Sequence, residues 1–163
     1  MLSQTSLPMF TFVWRTLLRN LINLAHHVVI IVGVMTWFEA WGGINVAMTL
    51  VGLALVLLNI SWISMLAAIT SARFRDVPQI IGSVMQFAIF MTPVFWKADS
   101  IRANHAILLL NPFYYMLDAV RAPLLGDNPV PHAYGVLILM AVAGWLLTFT
   151  SFALIRRRIV HYL

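Results

Sequence analysis

Two adjacent histidines, His26 and His27, stand inside an apolar stretch and are the first residues of the chain whose types invite a chemical reading. Adjacent side chains on a helix point about 100° apart, a poor spacing for chelating one ion compared with i, i+4. Imidazole titrates near neutrality, so the same pair fits a proton relay or a polar path as well as plain packing against another helix. The rest of the catalytic inventory is thin. Glu39 is the sole glutamate and has no histidine near it in sequence, so there is no His-Glu-x-x-His zinc motif, and no Gly-x-Ser-x-Gly nucleophile elbow occurs. The only lysine, Lys97, lies between Trp96 and Ala98, outside any Gly-Lys-Ser/Thr loop that could cradle phosphates. The chain therefore offers no phosphate-loop route to ATP hydrolysis. No catalytic, metal or cofactor residues are assigned. With no cysteine, disulfides and thiolate chemistry are excluded. Asn59-Ile60-Ser61 matches a glycosylation sequon but lies inside an apolar run, where it carries no weight.

What remains is a set of polar and aromatic residues set sparsely into apolar sequence. Asn59 and Gln86 read as hydrogen-bond donors between helices, or alternatively as contacts of a polar path. Phe95, Trp96, Phe113, Tyr114 and Tyr115 suit an interfacial aromatic belt. Their other reading is a stacking surface for sugar rings, which pair well with an aromatic face carrying a polar tip. His105 and His132, beside loops, are expected in water. Arg156, Arg157 and Arg158 read as a topology anchor that meets lipid head groups.

The elements that position these residues must be membrane helices. Of 163 residues 62% are hydrophobic and 9% charged, with mean hydropathy +0.93; a soluble domain carries roughly one quarter charged residues. The net charge of +5 does not indicate a nucleic-acid binder, because the arginines sit at the ends of apolar segments instead of covering a solvated face. The first ten residues lack a basic region followed by an apolar one, so no signal peptide is expected.

In chain order, residues 8–20 form an amphipathic pattern, with Phe10, Trp14, Leu17 and Leu21 on one face and Thr11, Arg15 and Arg19 on another. This predicts a helix lying at the membrane surface. Asn23 and His27 continue the polar row into the first apolar run, 21–38, where His27 lies roughly 12 Å beyond Arg19 along the axis. A polar face at that depth should meet protein or water. Trp37 and Trp41 flank a Gly42-Gly43 turn as interfacial anchors. A second run, 44–70, is uncharged and longer than the roughly 20 residues needed to cross. Its Ser61, Ser64 and Ala68 share a face that would allow close helix packing. A charged loop, 71–76, precedes a third run, 77–96, in which Asp76, Pro78 and Gln79 resemble a capping box and Gln79, Ser83 and Gln86 align. The last run, 133–155, ends in the triple arginine.

Residues 101–126 are harder to place, since Asn111-Pro112, Asp118, Arg121 and Pro123 would be costly in lipid. Charge parity decides the reading. If this segment enters and returns as a re-entrant helical hairpin, then Arg15, Arg19, Arg73, Arg75 and Arg156 to Arg158 all lie on one side, with Lys97, Arg102 and Arg121 opposite. That distribution obeys the positive-inside rule. The expected fold is an all-α integral membrane domain occupying the whole chain: four transmembrane helices, an amphipathic interfacial helix, and a re-entrant hairpin on the external side before the last span. Both termini are placed in the cytoplasm.

At this point the motifs carry a likeness. Arg73-Phe74-Arg75-Asp76, a span closing in Thr92-Pro93-Val94-Phe95-Trp96, Asn111-Pro112-Phe113 and Arg121-Ala122-Pro123-Leu124-Leu125-Gly126, in this order, resemble ABC-2 type permeases that export polysaccharides and polyol phosphates, the Wzm-like group. The start, with Leu7-Pro8, Arg15, Arg19, Asn20 and His26, looks like the segment before that family's third span. The resemblance implies a half-transporter that forms a homodimer, pairs with a separately encoded ATPase subunit holding ATP and Mg, and moves a lipid-linked glycan outward. It implies that Arg15, Arg19, Arg73, Phe74, Arg75 and Asp76 face the ATPase. Candidates for the translocation path or gate are His27, Asn59, Gln86, Phe95, Trp96, Asn111, Tyr114, Tyr115, Asp118 and Arg121. Members of that family typically carry six spans, so by this likeness the chain supplies the last four.

Overall fold

A computed structural model describes residues 9–39, 41–94 and 108–159, apart from the side chains of Met9, Phe10, Phe12 and residues 155–159. The described residues are helical and contain no strand: α1 is Met9–Trp37, α2 Val46–Arg73, α3 Val77–Met91, α4 Pro112–Leu124 and α5 Ala133–Ile159. They fall into two compact units, Met1–Gly42, which contains α1, and Gly43–Leu163, which contains the other four helices.

The expected surface helix and first span are one uninterrupted helix of 29 residues. No glycine or proline lies between Met9 and Val32 to break the hydrogen-bond ladder where the polarity changes. Within it, Val13–Trp37 is long and apolar enough to cross a membrane. The helix closes as Phe38 N–H bonds to Val34 O at 3.0 Å, and Glu39 then takes a left-handed φ of 51°.

In the second unit, α2 and α5 are the long members and α4 wedges between them. Asn45 caps α2 by accepting from Met48 N–H at 3.0 Å. α5 turns a row of small and medium residues inward, Ala133, Leu137, Ala141, Gly144 and Thr148, at the i, i+3/i+4 spacing of one helix face. Tyr115, Met116 and Ala119 of α4 join Ala133 and Leu137 in the core, with Leu55 and Val56 of α2 packed against them. Two glycines set the closest approaches: a methyl group at Gly52 would overlap the Ala119 carbonyl, and one at Gly144 would overlap the Trp62 indole. The predicted small-residue face of Ser61, Ser64 and Ala68 is half-buried, but the tightest packing falls where no Cβ exists at all. Outward-facing Leu139, Leu146 and Phe149 stay exposed, as a lipid-facing surface requires.

The third run departs from expectation. Its helix ends at Met91 after 15 residues, roughly 22 Å, short of a roughly 30 Å hydrocarbon core. Among the described residues three helices are long and apolar enough to cross: Val13–Trp37, Val46–Arg73 and Ala133–Leu154. The stop has a local cause, because Pro93 pushes Thr92 into extended backbone. The expected capping box is also missing. Asp76 is itself in αR conformation and makes no side-chain cap bond, although Pro78 does occupy the first turn. Of the predicted hairpin 101–126, the second half is α4, whereas 101–107 lie outside the described residues. The last helix runs on to Ile159, so the triple arginine is helical.

Candidate functional site

The sequence-selected residues gather in two places within the second unit. At the α2–α3 corner, Arg73 is the last helical residue and Phe74 the C-cap, its N–H bonded to Thr70 O at 2.9 Å. The Arg73 guanidinium lies 5.4 Å from the centre of the Phe74 ring, a cation–π arrangement. Phe74, Arg75 and Asp76 are exposed with it. The corner thus presents two cations, one carboxylate and an aromatic ring to solvent. Arg15 and Arg19 are likewise exposed, on α1 in the other unit.

The second gathering is built on α4. Asn111 caps it, accepting from Phe113 N–H at 3.0 Å, and its Nδ2 donates to Thr92 Oγ1 at 3.0 Å. Thr92 spends its own hydroxyl proton on Ala88 O at 2.8 Å. Arg121 Nη1 donates to Pro93 O at 3.0 Å. Asp118 Oδ2 accepts from Val130 N–H at 2.6 Å, tying α4 to the segment before α5. Tyr115 is buried and donates to Leu109 O at 2.9 Å, its ring 5.9 Å from that of Tyr114. Tyr134 of α5 places its hydroxyl 3.2 Å from Met48 O and 3.4 Å from Ala119 O, at the junction of three helices.

Four of the path candidates, Tyr114, Tyr115, Asp118 and Arg121, therefore share one short helix, and a fifth, Asn111, caps it. Thr92, Pro93 and Tyr134 belong with them but were not among the residues selected from sequence. The signal for the first two was the Thr-Pro pair, read there as the close of a span and as part of the family likeness. Asn59 lies apart. It is fully buried, donates to Leu55 O at 2.9 Å and to Leu137 O at 3.0 Å, and accepts from the Trp62 indole at 3.0 Å. Gln86 is exposed on α3, as are Gln79 and Ser83. Phe95 and Trp96 fall outside the described residues.

His26 and His27 are exposed on α1, and each Nδ1 contacts a carbonyl of its own helix, Ile22 O at 3.2 Å and Asn23 O at 2.6 Å. Among the described residues no three metal-binding side chains come together. Every buried side-chain nitrogen or oxygen described has a hydrogen-bond partner. This is the economy expected of a membrane interior, where an unsatisfied polar group is expensive.

Three apolar helices of spanning length, one short helix held by polar side chains, and an exposed charged corner make a multi-pass membrane protein. The family model for the ABC-2 type transporter matches residues 1–125, a range that ends just past α4. The chain belongs to the ABC-2 type transporter family. This ABC-2 type chain therefore carries the membrane component of an ABC transporter. Both the corner at 73–76 and α4 lie within the matched residues, and α5 lies beyond them. No curated protein and no solved structure matches this ABC-2 type chain.

Proposed function

We propose that this chain is the permease subunit of an ATP-driven exporter that moves a lipid-linked polysaccharide across the cytoplasmic membrane, working as a homodimer with a separately encoded ATPase. The observation that carries this reading is the exposed corner of Arg73, Phe74, Arg75 and Asp76 on an ABC-2 family chain that has no phosphate loop of its own. A chain that uses ATP without binding it needs a docking surface for the subunit that does. ATP and Mg then reside on the partner. Arg15 and Arg19, in the other unit, also meet the ATPase, both termini face the cytoplasm, and α4 stands at the external end of the path. The glycan substrate is supported by the motif set and by Tyr114 of α4, half-buried, whose ring face suits a sugar ring.

The test is reconstitution of the full chain with its ATPase in vesicles supplied with a lipid-linked oligosaccharide or, separately, an amphipathic drug. Glycan export is expected. Export of the drug alone would move the substrate class to small molecules. A complex that hydrolyses ATP and moves neither would make the chain a non-transporting scaffold.

A further inference from the structure

α3 and α4 have 15 and 13 residues, together the 28 of α2. Their ends are joined in a closed circuit. The start of α2 meets the end of α4: Asn45 N–H bonds to Pro123 O at 3.0 Å, and Gly43 and Gly126, with φ of 96° and 84°, pack backbone to backbone. The start of α4 meets the end of α3 through Asn111 and Thr92. The start of α3 follows the end of α2 through the tight turn in which Val77 N–H bonds to Phe74 O at 3.4 Å. Two short helices thus connect the same two ends as one long helix, with a break between them.

We propose that α3 and α4 act as a single two-piece column, latched at the break by Asn111 to Thr92 and Arg121 to Pro93, so that a displacement at the 73–76 corner reaches α4. This rests on the reading of that corner as the ATPase-docking surface. The chemistry of the latch suits the task. The Thr92 hydroxyl donates its hydrogen bond to Ala88 O, so its oxygen is left to accept from Asn111. Pro93 has no N–H and its carbonyl accepts from Arg121. The acceptor residues Thr92 and Pro93 are buried, so an acceptor left without its donor is costly, although the Arg121 side chain itself is exposed. The latch is therefore either made or broken. Thr92 and Arg121 act as positioning residues, since neither needs to touch cargo.

The absence of cysteine allows a clean test on the full chain assembled with its ATPase. Spin labels are placed in turn on Gln79→Cys, in the first turn of α3, and on Leu125→Cys, at the exposed end of α4, and their distance to a fixed label on the second copy is measured with and without ATP. In the parent chain both distances should change. In Thr92→Val with Arg121→Met the Gln79 label should still respond, while the Leu125 response falls at least threefold. Oxidising a Thr92→Cys, Asn111→Cys pair in the Arg121→Met background, before a thioether-linked spin label is attached at position 79 or 125, should restore it, and reducing that disulfide should abolish it again. An undiminished Leu125 response in the latch variant overturns the latch and leaves the docking surface standing. A parent chain in which the Gln79 label ignores ATP while the ATPase is bound and active overturns the docking reading, and the latch with it.

Discussion

The Asn59 carboxamide donates to the carbonyl of Leu137, 3.0 Å away and 78 residues on in the chain, and so joins α2 to α5 across the core of the second unit. The same side chain holds Leu55 O and the Trp62 indole, so its burial costs no unsatisfied polar atom. Asn59→Ala removes all three bonds and strands the indole N–H. The expected loss is about 1–3 kcal/mol, read as a lower melting temperature in detergent. Because the bonds serve packing, transport per folded molecule should stay close to that of the parent; a selective loss of transport at unchanged stability would instead make Asn59 part of the path.

Gly52 is required by contact, not by backbone conformation. Gly52→Ala places a methyl on the Ala119 carbonyl and must push α2 and α4 apart, at about 1–3 kcal/mol. Gly135→Ala, where nothing lies within 4 Å of the added methyl, is the control and should melt no lower than the parent. Paired melting curves of the two variants check this.

Asp118 holds the approach to α5 by accepting from Val130 N–H. Asp118→Ala leaves that donor without its partner and should cost about 1–2 kcal/mol, whereas Asp118→Asn keeps an acceptor oxygen in place and should cost less. The order of the two variants in chemical or thermal unfolding is the measurement.

Arg73 and Arg75 are exposed, so reversing them should leave the fold intact. Arg73→Glu with Arg75→Glu should weaken association with the ATPase at least tenfold, about 1.4 kcal/mol. Binding of the parent should weaken as salt rises. Unchanged co-purification would reject the docking surface.

Tyr114 and Tyr115 look equivalent in sequence but are placed differently. Tyr115→Ala empties a core position and breaks the bond to Leu109 O, so it should destabilise by about 3–5 kcal/mol. Tyr114 is only half-buried, and Tyr114→Ala should insert and fold while lowering glycan export if the ring stacks on sugar. Insertion assays run beside export assays separate the two outcomes.

Composition and periodicity alone determined that this is a helical membrane chain, because apolar runs of about 20 residues have few other uses. They also placed the helix boundaries near Gly42-Gly43, Arg73 and Ala133, where glycine, charge and turn residues act locally. Local signals misled at Arg19 to Leu21, where a change in polarity without a helix breaker left one continuous helix, and at Asp76, whose cap depends on backbone angles no spacing reveals. The extent of α3 was half legible: Thr92-Pro93 announced a stop, but the hydropathy beyond it invited a longer span. Only the tertiary structure decided what the polar residues hold. Asn59 with Leu137, Thr92 with Asn111 and Arg121 with Pro93 are each far apart in sequence, and two of the three acceptors are backbone carbonyls. Every residue carries such a carbonyl, so sequence cannot single one out; packing chooses the partner by bringing it within 3 Å.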